Sequence, residues 1–576
     1  MKQRVYYPLK PTKTRRYSTP ASVVYLYIHT DADNTFIEAC GVANGEYSNL
    51  TIEEVIPWVL SFPHNTWIIT FDIDNWTAII DQLINGFTRI TGIGKENHVL
   101  RLENGKDLYH VIDVFPFFVC GISEALSKLG IITKRIRSAR NYVLYLFVLW
   151  KNFTEFLGNE FALYPSKTPG ATAIKLWRRF LPDTIKARGK VSSKFLRSAI
   201  MQPALHWRAG SYDNAYLYDI NAAYVHCMKI LRFPMRAKLF SNSPPPSYKW
   251  IATVNLSYDT PLDFAPVSIP VFEDNNISPT RIIKSRITLT YLDYMNLSIT
   301  GNATIHKWIE GVYWYNEDEE DLFSAWAEDI ERVSSYNPFY KLALKIISRS
   351  LHSKFNQNLF YTFTEIIRVN VDTAAALVKQ PGKVLDVIVL DNGEMAIKKA
   401  TRKRSTFKPF ERPDWEALIM AAARYMIYST IDDDTIYTHT DCFISTRERT
   451  DIDTGSRFGQ WKLADNGKTD IAGLGVYAIG AEVGKSGFHI NDELARMAIA
   501  EAARGGKSVV KSQQYPDIFS PDKAGEIDFT VRNQVYPRSR LEGNRAFISR
   551  SPERLHRRKI QKLFLITGGT QDDYTD

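Results

Sequence analysis

The sequence predicts a multidomain protein that mixes α/β and α+β architecture. Three observations carry this reading. The chain has 576 residues, three or four units of domain size. Apolar residues make up 45% and aromatic residues 13%, enough to build large cores. From Val23 onward, strand-like and helix-like segments alternate.

Residues 1 to 20 read as a basic arm without the apolar run of a secretory signal. "VVYLYIHTDADN" reads as a buried strand ending in acids, and "TWIITFDIDNW" repeats the pattern. "TAIIDQLING", "ISEALSKLG" and "NYVLYLFVLWKNFTEFLG" read as helices, which ends a first domain near residue 180. A basic stretch, Arg178 to Arg208, leads to "NAYLYDINAAYVHCMKIL", a strand running into a helix. "SNSPPPSY" reads as a rigid linker, followed by strands "KWIATVNLSY" and "APVSIPVF". "NEDEEDLFSAWAEDIERVSSY" reads as an acidic-capped helix. The next helix, "NPFYKLALKIISRSLHSKF", spaces Lys341, Lys345, Arg349 and His352 by four, four and three, which puts all four on one face. Residues 358 to 410 read as a strand-rich insertion containing the basic run 398–408. "DWEALIMAAARYMIYSTI" reads as a strong helix ahead of a hairpin, "TIYTHTDCFIS".

The net charge is +9, which suits a polyanionic partner. Residues 532–562 hold ten Lys or Arg against two Glu. The four cysteines, Cys40, Cys120, Cys227 and Cys442, form no CxxC pair, so neither a zinc knuckle nor a disulfide framework is expected. The most apolar run, "NYVLYLFVLW", is too short to span a bilayer. No membrane partner is expected, and the cytoplasm is the expected compartment, that of a host cell if the source is viral.

Two carboxylates each close an apolar strand: Asp219 in "AYLYDINAAY" and Asp441 in "TIYTHTD". Brought together, they would offer hard oxygen ligands to divalent cations and could run two-metal phosphoryl transfer. Their alternative reading is as ordinary strand-end turn residues. The Lys341, Lys345, Arg349 stripe suits a triphosphate, its alternative being a solvated basic face. The order strand–Asp, basic helix, hairpin–Asp favours the sharper reading.

At these residues the chain resembles family B DNA polymerases of the protein-primed branch found in small phages and linear plasmids. "YDINAAYVHCM" is similar to motif A, "KIISRSLHSKF" to motif B and "YTHTDCF" to motif C. "HWRAGSY" is similar to the Y-x-G-G/A element, "ALIMAAARYMIY" to the helix before motif C, and "FGQWK" to the L-G-x-W segment after it. Six elements stand in the family's order along most of the chain.

The resemblance implies an RNase-H-like exonuclease-type domain followed by a right-hand polymerase of palm, fingers and thumb with two insertions. It implies the layout 1–20 arm, 21–180 exonuclease-like, 181–240 palm, 241–316 insertion contacting a priming protein, 317–356 fingers, 357–410 insertion enclosing DNA, 411–520 palm, 521–576 thumb and tail. It implies catalytic metal ligation by Asp219 and Asp441, helped by the Ile220 carbonyl, for two Mg²⁺ ions that Mn²⁺ can replace. Asn221, Tyr224, Lys341, Lys345, Arg349 and His352 fall on nucleotide-binding positions, with Tyr224 on the gate that excludes a ribose 2′-OH. Trp207, Arg208 and Lys354 fall on DNA-binding positions. The implied partners are primer–template DNA, dNTPs and a priming terminal protein.

The chain departs from the family at four places. His439 replaces the first acid of motif C, and we expect a hydrogen-bonded turn histidine there rather than a metal ligand. Arg349 and His352 replace Asn and Tyr of motif B, and Cys442 replaces Ser. In the first domain, Asp31, Asp33 and Asp74 stand near the exonuclease acids. The helix that should carry the last acid has none, since residues 131–154 contain no Asp or Glu; Asn141 is the nearest candidate, and Asp113 is a displaced alternative. Weak or absent 3′–5′ exonuclease activity is therefore expected. The basic runs 1–20, 178–208, 398–408 and 532–562 are expected to track phosphates without reading sequence. The rival function is a catalytically lapsed, nucleic-acid-binding scaffold. Reverse transcriptase fits less well, because "HTDC" lacks paired aspartates at the hairpin tip.

Overall fold

The computed structural model describes residues 20–31, 34–71, 73–93, 98–131, 138–181, 185, 191–201, 203–259, 281–356, 360–404, 411–486, 488, 490–514 and 525–532. Asp33, the "APVSIPVF" segment, most of the basic arm, residues 405–408 and the tail beyond 532 lie outside them.

Two sheets organise the described residues. The first has ten strands. Its middle is built from Thr66–Thr70, every residue buried, running parallel to Ser22–Thr30 on one side and Asp107–Asp113 on the other. A strand covered on both faces needs a continuous apolar run, and "TWIIT" supplies one. Helix Ala139–Phe161 covers one face with Val143, Leu146, Leu149, Trp150, Phe153 and Leu157. Its start is fixed by Ser138, whose side chain accepts the Asn141 amide.

The sheet does not stop at the first domain. Strand Phe360–Val369 pairs with Arg89–Ile93, matching Glu365 to Thr91 and Ile366 to Ile90. Strands Met395–Arg404 and Lys383–Val389 extend the same edge. Ile366 and Ala396 enter the core of Ile90, Leu100 and Leu102. The inserted region is thus an outgrowth of the N-terminal sheet, a pairing across more than 250 positions that no local pattern encodes. Within it, Lys399 is 2% exposed, and its ammonium donates to the carbonyls of Leu377 (2.9 Å) and Gln380 (2.8 Å). That lysine of the 398–408 run caps a helix end and does not face phosphates.

The second sheet has seven antiparallel strands in the order Glu482–Lys485, Val476–Ile479, Trp461–Gly473, Gly210–Ile220, Cys442–Ser445, Thr435–Thr440, Ala204–Trp207. Helices Ala223–Ile230 and Pro413–Tyr428 pack close to it. Pro413–Tyr428 is buried on nearly every side, in keeping with its largely apolar sequence. Its core charges are paired: Arg424 with Asp293 and the Met201 carbonyl, Asp414 with Arg412, Glu416 with His352.

Lys238–Ser241, Lys249–Asp259, Arg281–Thr290 and Asn302–Trp314 form a four-stranded antiparallel sheet, joined by the helix Tyr291–Thr300, which opens on a Thr290–Asp293 capping box. Trp250, Val254 and Leu289 share one core with Tyr218, Phe443 and Trp461 of the second sheet. Within the acidic run before the next helix, the cap is Asp321 and not the acids ahead of it. Asn316–Asp318 forms a turn and Glu319–Glu320 pairs with Phe233–Pro234. Glu319 is buried because it takes the Trp314 indole N–H (2.7 Å) and the Lys249 ammonium (2.5 Å). Asp321 does the capping, accepting the amides of Phe323 and Ser324. The helix itself is Ser324–Ser334, packed against Pro338–Arg349.

The first domain does not end cleanly near residue 180. The Trp177 indole donates to the Leu322 carbonyl at 2.8 Å, and its ring lies flat on Phe323 at 4.9 Å. Phe339 and Tyr340 stack on Phe118 and Phe156. The helical pair is therefore seated on the N-terminal domain. Helix Asp492–Ala503 packs with the paired strands Lys507–Gln514 and Gly525–Arg532, so elements from both sides of the expected boundary at 520 share one core. Among the described residues, no helix is long and apolar enough to cross a membrane.

Burial holds His110 down to about 3 and His206 well below the ordinary histidine range. Below pH 6.5 the unfolded chain takes up protons that the folded chain refuses, so stability falls as pH falls. Each such histidine removes about 1.4 kcal/mol per pH unit. Denaturant unfolding at pH 7 and pH 5 should show His110→Leu losing about 2 kcal/mol less across that interval than the unsubstituted protein.

Candidate active site

The site begins with strand register. Gly210–Ile220 lies between Cys442–Ser445 and Trp461–Gly473. On one side Asp219 is matched to Cys442, and the Ile220 amide donates to the Asp441 carbonyl at 2.9 Å. On the other side Asp219 is matched to Lys462. Neighbouring strands lie about 5 Å apart, so Asp219, Asp441 and Lys462 are assembled by backbone pairing before any side chain chooses a partner.

Two tight backbone conformations aim these groups. The hairpin turns through His439, Thr440 and Asp441, with the Asp441 amide donating to the His439 carbonyl at 2.9 Å. Thr440 has φ +62°, an unfavourable value for a β-branched residue. Its hydroxyl lies 2.6 Å from both the His439 carbonyl and an Asp441 carboxylate oxygen. Three residues after Asp219, Ala222 has φ +50° where the strand becomes helix. Both carboxylates line one cleft of about 540 Å³.

The opposite wall is helix Pro338–Arg349, set by Asn337, whose side chain accepts the Tyr340 amide at 2.8 Å. Phe339, Ala343, Leu344 and Ile347 are buried, and Lys341, Lys345 and Arg349 are exposed one turn apart. All three line the cleft facing the two aspartates. His352 joins them from a 3₁₀ turn, His352–Asn356, because the α-helix ends at Arg349. The four-residue stripe expected on one helix is thus three residues plus a turn residue.

Tyr224, two residues after Ala222, lies in the same cleft with its ring stacked on His352 at 4.5 Å and 18°. Burial pushes its phenol far above the ordinary range, with Asp441 adding to the effect. The hydroxyl therefore stays protonated. Asn221 also lines the cleft, but its amide donates to the Gly455 carbonyl at 2.7 Å, tying down the loop that carries Phe458 and Gly459. The Phe458 amide donates to Glu331 on the facing helical pair at 2.7 Å. Gly459 has φ +88°, and a Cβ there would meet the His226 ring at 2.3 Å. That position needs glycine.

The electrostatics centre on Asp219. Burial raises its proton affinity above the ordinary carboxylate range; Lys462 opposes this, Asp441 adds to it, and Lys345 opposes it. The Lys462 ammonium lies 2.8 Å from the carboxylate. Burial lowers His439, against the pull of Asp441, so its imidazole is neutral. Its backbone carbonyl accepts the turn's hydrogen bonds, and its ring makes none among the described residues.

Other expected site residues fall elsewhere. Trp207 is 6% exposed, packed with Leu217, Ile436 and Tyr437, so it cannot stack on a base. Arg208 donates to the Asp433 carbonyl at 3.0 Å. Lys354 is tucked against Gly170, outside the cleft lining. In the N-terminal domain, Asp31 is a turn residue whose carboxylate accepts the Thr35 amide at 2.8 Å. Asp74 opens a 3₁₀ helix. Asp113 is committed to His98 (2.9 Å) and the Phe115 amide (2.9 Å). Asn141 is exposed, while the adjacent Tyr142 lies flat on Tyr27 at 3.8 Å and near Phe71. Among the described residues, no three His, Cys, Asp or Glu gather as a metal-binding group.

Sequence reasoning missed Lys462 and Glu416. Lys462 needs the strand register. Glu416 carried a signal, a charge inside the apolar run "DWEALIM", which demands a buried partner.

The chain matches no protein-family model and no curated protein. Among solved structures it is similar to phi29 DNA polymerase complexed with primer-template DNA and incoming nucleotides. The TM-score is 0.68 and the identity 14%, over 90% of this chain and 100% of that one. It is also similar to the post-translocation complex of that polymerase with primer-template DNA, at TM-score 0.65 and 14% identity over 89% and 100% of the two chains. The complex with single-stranded DNA gives 0.64 and 13% over the same shares. The fold is thus mixed α/β and multidomain, consistent with an exonuclease-type domain followed by a right-hand polymerase.

Replacing Lys462 with Met removes the cation nearest Asp219. The Asp219 carboxyl should then protonate at a higher pH, because the cation that opposes the effect of burial is gone. The pH titration of its infrared carboxyl band, with Asp219→Asn as the control, checks this.

Proposed function

We propose that this protein is a template-directed, DNA-dependent DNA polymerase of the protein-primed family B kind. The observation that carries this is the meeting of Asp219 and Asp441 in one cleft, opposite Lys341, Lys345 and Arg349, with Tyr224 on its floor. Primer–template DNA and dNTPs are its proposed partners. A priming terminal protein rests on the motif resemblance alone.

The residues present suit a pair of divalent cations. Asp219 and Asp441 offer hard oxygens from adjoining backbone, and Ile220, next to Asp219, meets Asp441 through its amide and would offer its carbonyl. Asp219 is poorly solvated as an anion and already draws a cation, Lys462. Mg²⁺, or Mn²⁺ in its place, would lower the barrier to phosphoryl transfer by activating the attacking hydroxyl and neutralising the leaving group. The protein's own groups do the rest. Lys341, Lys345 and Arg349 form a ladder one turn apart for the triphosphate. Tyr224, stacked on His352, is the group proposed to pack against the sugar and exclude a 2′-OH. The neutral His439 leaves Asp441 as the acid of the hairpin.

Proofreading is proposed to have lapsed. Asp31 accepts a turn amide, Asp113 is bonded to His98, and the rings of Tyr27 and Tyr142 stack on each other where the strand meets the helix.

The rival reading, a lapsed scaffold that binds DNA without extending it, draws on Lys462, whose ammonium occupies the Asp219 carboxylate. Primer extension separates the two. Asp219→Ala and Asp441→Ala should each remove several kcal/mol of transition-state stabilisation, about a thousandfold or more in rate. Asp31→Ala should leave extension, and the absence of 3′–5′ degradation, unchanged. Failure of the intact protein to extend any primer, DNA or protein, decides for the scaffold.

A further inference from the structure

Glu416 is a buried carboxylate with no role in the chemistry above. It sits in the first turn of Pro413–Tyr428, 5% exposed; the other buried acid of that turn, Asp414, is paired with Arg412. Both its oxygens lie within hydrogen-bond reach of one atom, Nδ1 of His352, at 2.9 and 3.1 Å. One face of that imidazole lies nearly parallel to Tyr224, 4.5 Å between ring centres, while Glu416 bonds its edge. Tyr224 and His352 both line the cleft, from different elements.

We propose that Glu416 is a positioning residue for nucleotide selection. This rests on the polymerase reading of the cleft. An ionised carboxylate only accepts, so the hydrogen bond requires the hydrogen on Nδ1. That fixes the tautomer and the ring plane. It also assigns Nε2, on the far side of the ring, as the atom free to meet a nucleotide. Tyr224 and His352 then act as one two-ring platform, clamped at its edge by Glu416. A lone imidazole on a short 3₁₀ turn has two tautomers and a free χ2. Neither is controlled by the turn itself, which is why a charge is retained inside a largely apolar helix, where an unpaired carboxylate would be strongly unfavourable. The residue class selected is the sugar and base of an incoming nucleoside triphosphate. Its phosphates face Lys341, Lys345 and Arg349 instead.

The test compares the full-length protein with Glu416→Leu, His352→Tyr and the double variant. Steady-state incorporation of a single dNTP on a primer–template, and dNTP affinity by calorimetry, are the two readouts. Glu416→Leu should raise KM for the dNTP about tenfold with kcat within about twofold, and weaken dNTP affinity in parallel. A tyrosine has no tautomer to fix, so Glu416→Leu should add less than twofold when His352 is already Tyr, a coupling between the sites. The proposal is overturned if Glu416→Leu changes KM and affinity less than twofold. It is also overturned if kcat and thermal stability fall together while the coupling to His352 is absent. If the unsubstituted protein extends no primer, the polymerase reading fails on its own. Calorimetry then still decides the clamp, because equal dNTP affinities in all four proteins contradict it and the ordered loss described above supports it.

Discussion

The candidate site depends on one constraint: the antiparallel pairing of Gly210–Ile220 with Cys442–Ser445. The Ile220 amide bonding the Asp441 carbonyl fixes which residues can face each other. Asp219 and Asp441 are 222 positions apart in the chain, and nothing between them fixes their spacing. The ladder does. A slip of one residue would send every side chain of the strand to the opposite face. The register is protected because Leu217, Tyr218 and Ile220 are buried on alternate sides against Ile444, Phe443 and Trp461. Core packing thus sets a functional distance. The left-handed Thr440 and Ala222 are tolerated because this packing over-determines the backbone around them.

The cleft keeps its charges unbalanced where chemistry needs them and balanced elsewhere. Inside the fold, Arg424 is matched to Asp293, Arg412 to Asp414, Lys249 to Glu319 and Arg197 to Glu411. In the cleft three exposed cations face two carboxylates, and one of those carboxylates borrows Lys462. An ion pair this exposed is weak and exchangeable. It serves to hold Asp219 ionised and aimed against the pull of burial, and it can be displaced by a stronger cation.

Much of the site was legible in the sequence because its signals are local. Asp219 and Asp441 each close an apolar strand, and Lys341, Lys345 and Arg349 follow helical spacing. Those features survive whatever the rest of the chain does. What was not legible is long-range. Trp207 reads as a DNA contact by position, yet strand pairing with Tyr437 turns it into the core. Of the acids at 316–321 that read as a cap, Asp321 takes that role, while Glu319 finds Trp314 and Lys249. The inserted strands read as a separate unit, yet Glu365 and Ile366 pair with Thr91 and Ile90 and make them part of the first sheet. Lys462 and Glu416 escaped for the same reason, since each acquires meaning from a partner more than 60 positions away.

The central claim is that Asp219 and Asp441 jointly hold divalent cations. Mn²⁺ binding followed by electron paramagnetic resonance, with primer–template and dNTP present, tests it without relying on turnover. Bound Mn²⁺ in the intact protein, lost in both Asp219→Asn and Asp441→Asn, is the result the account predicts. Mn²⁺ binding that survives either substitution unchanged would contradict it.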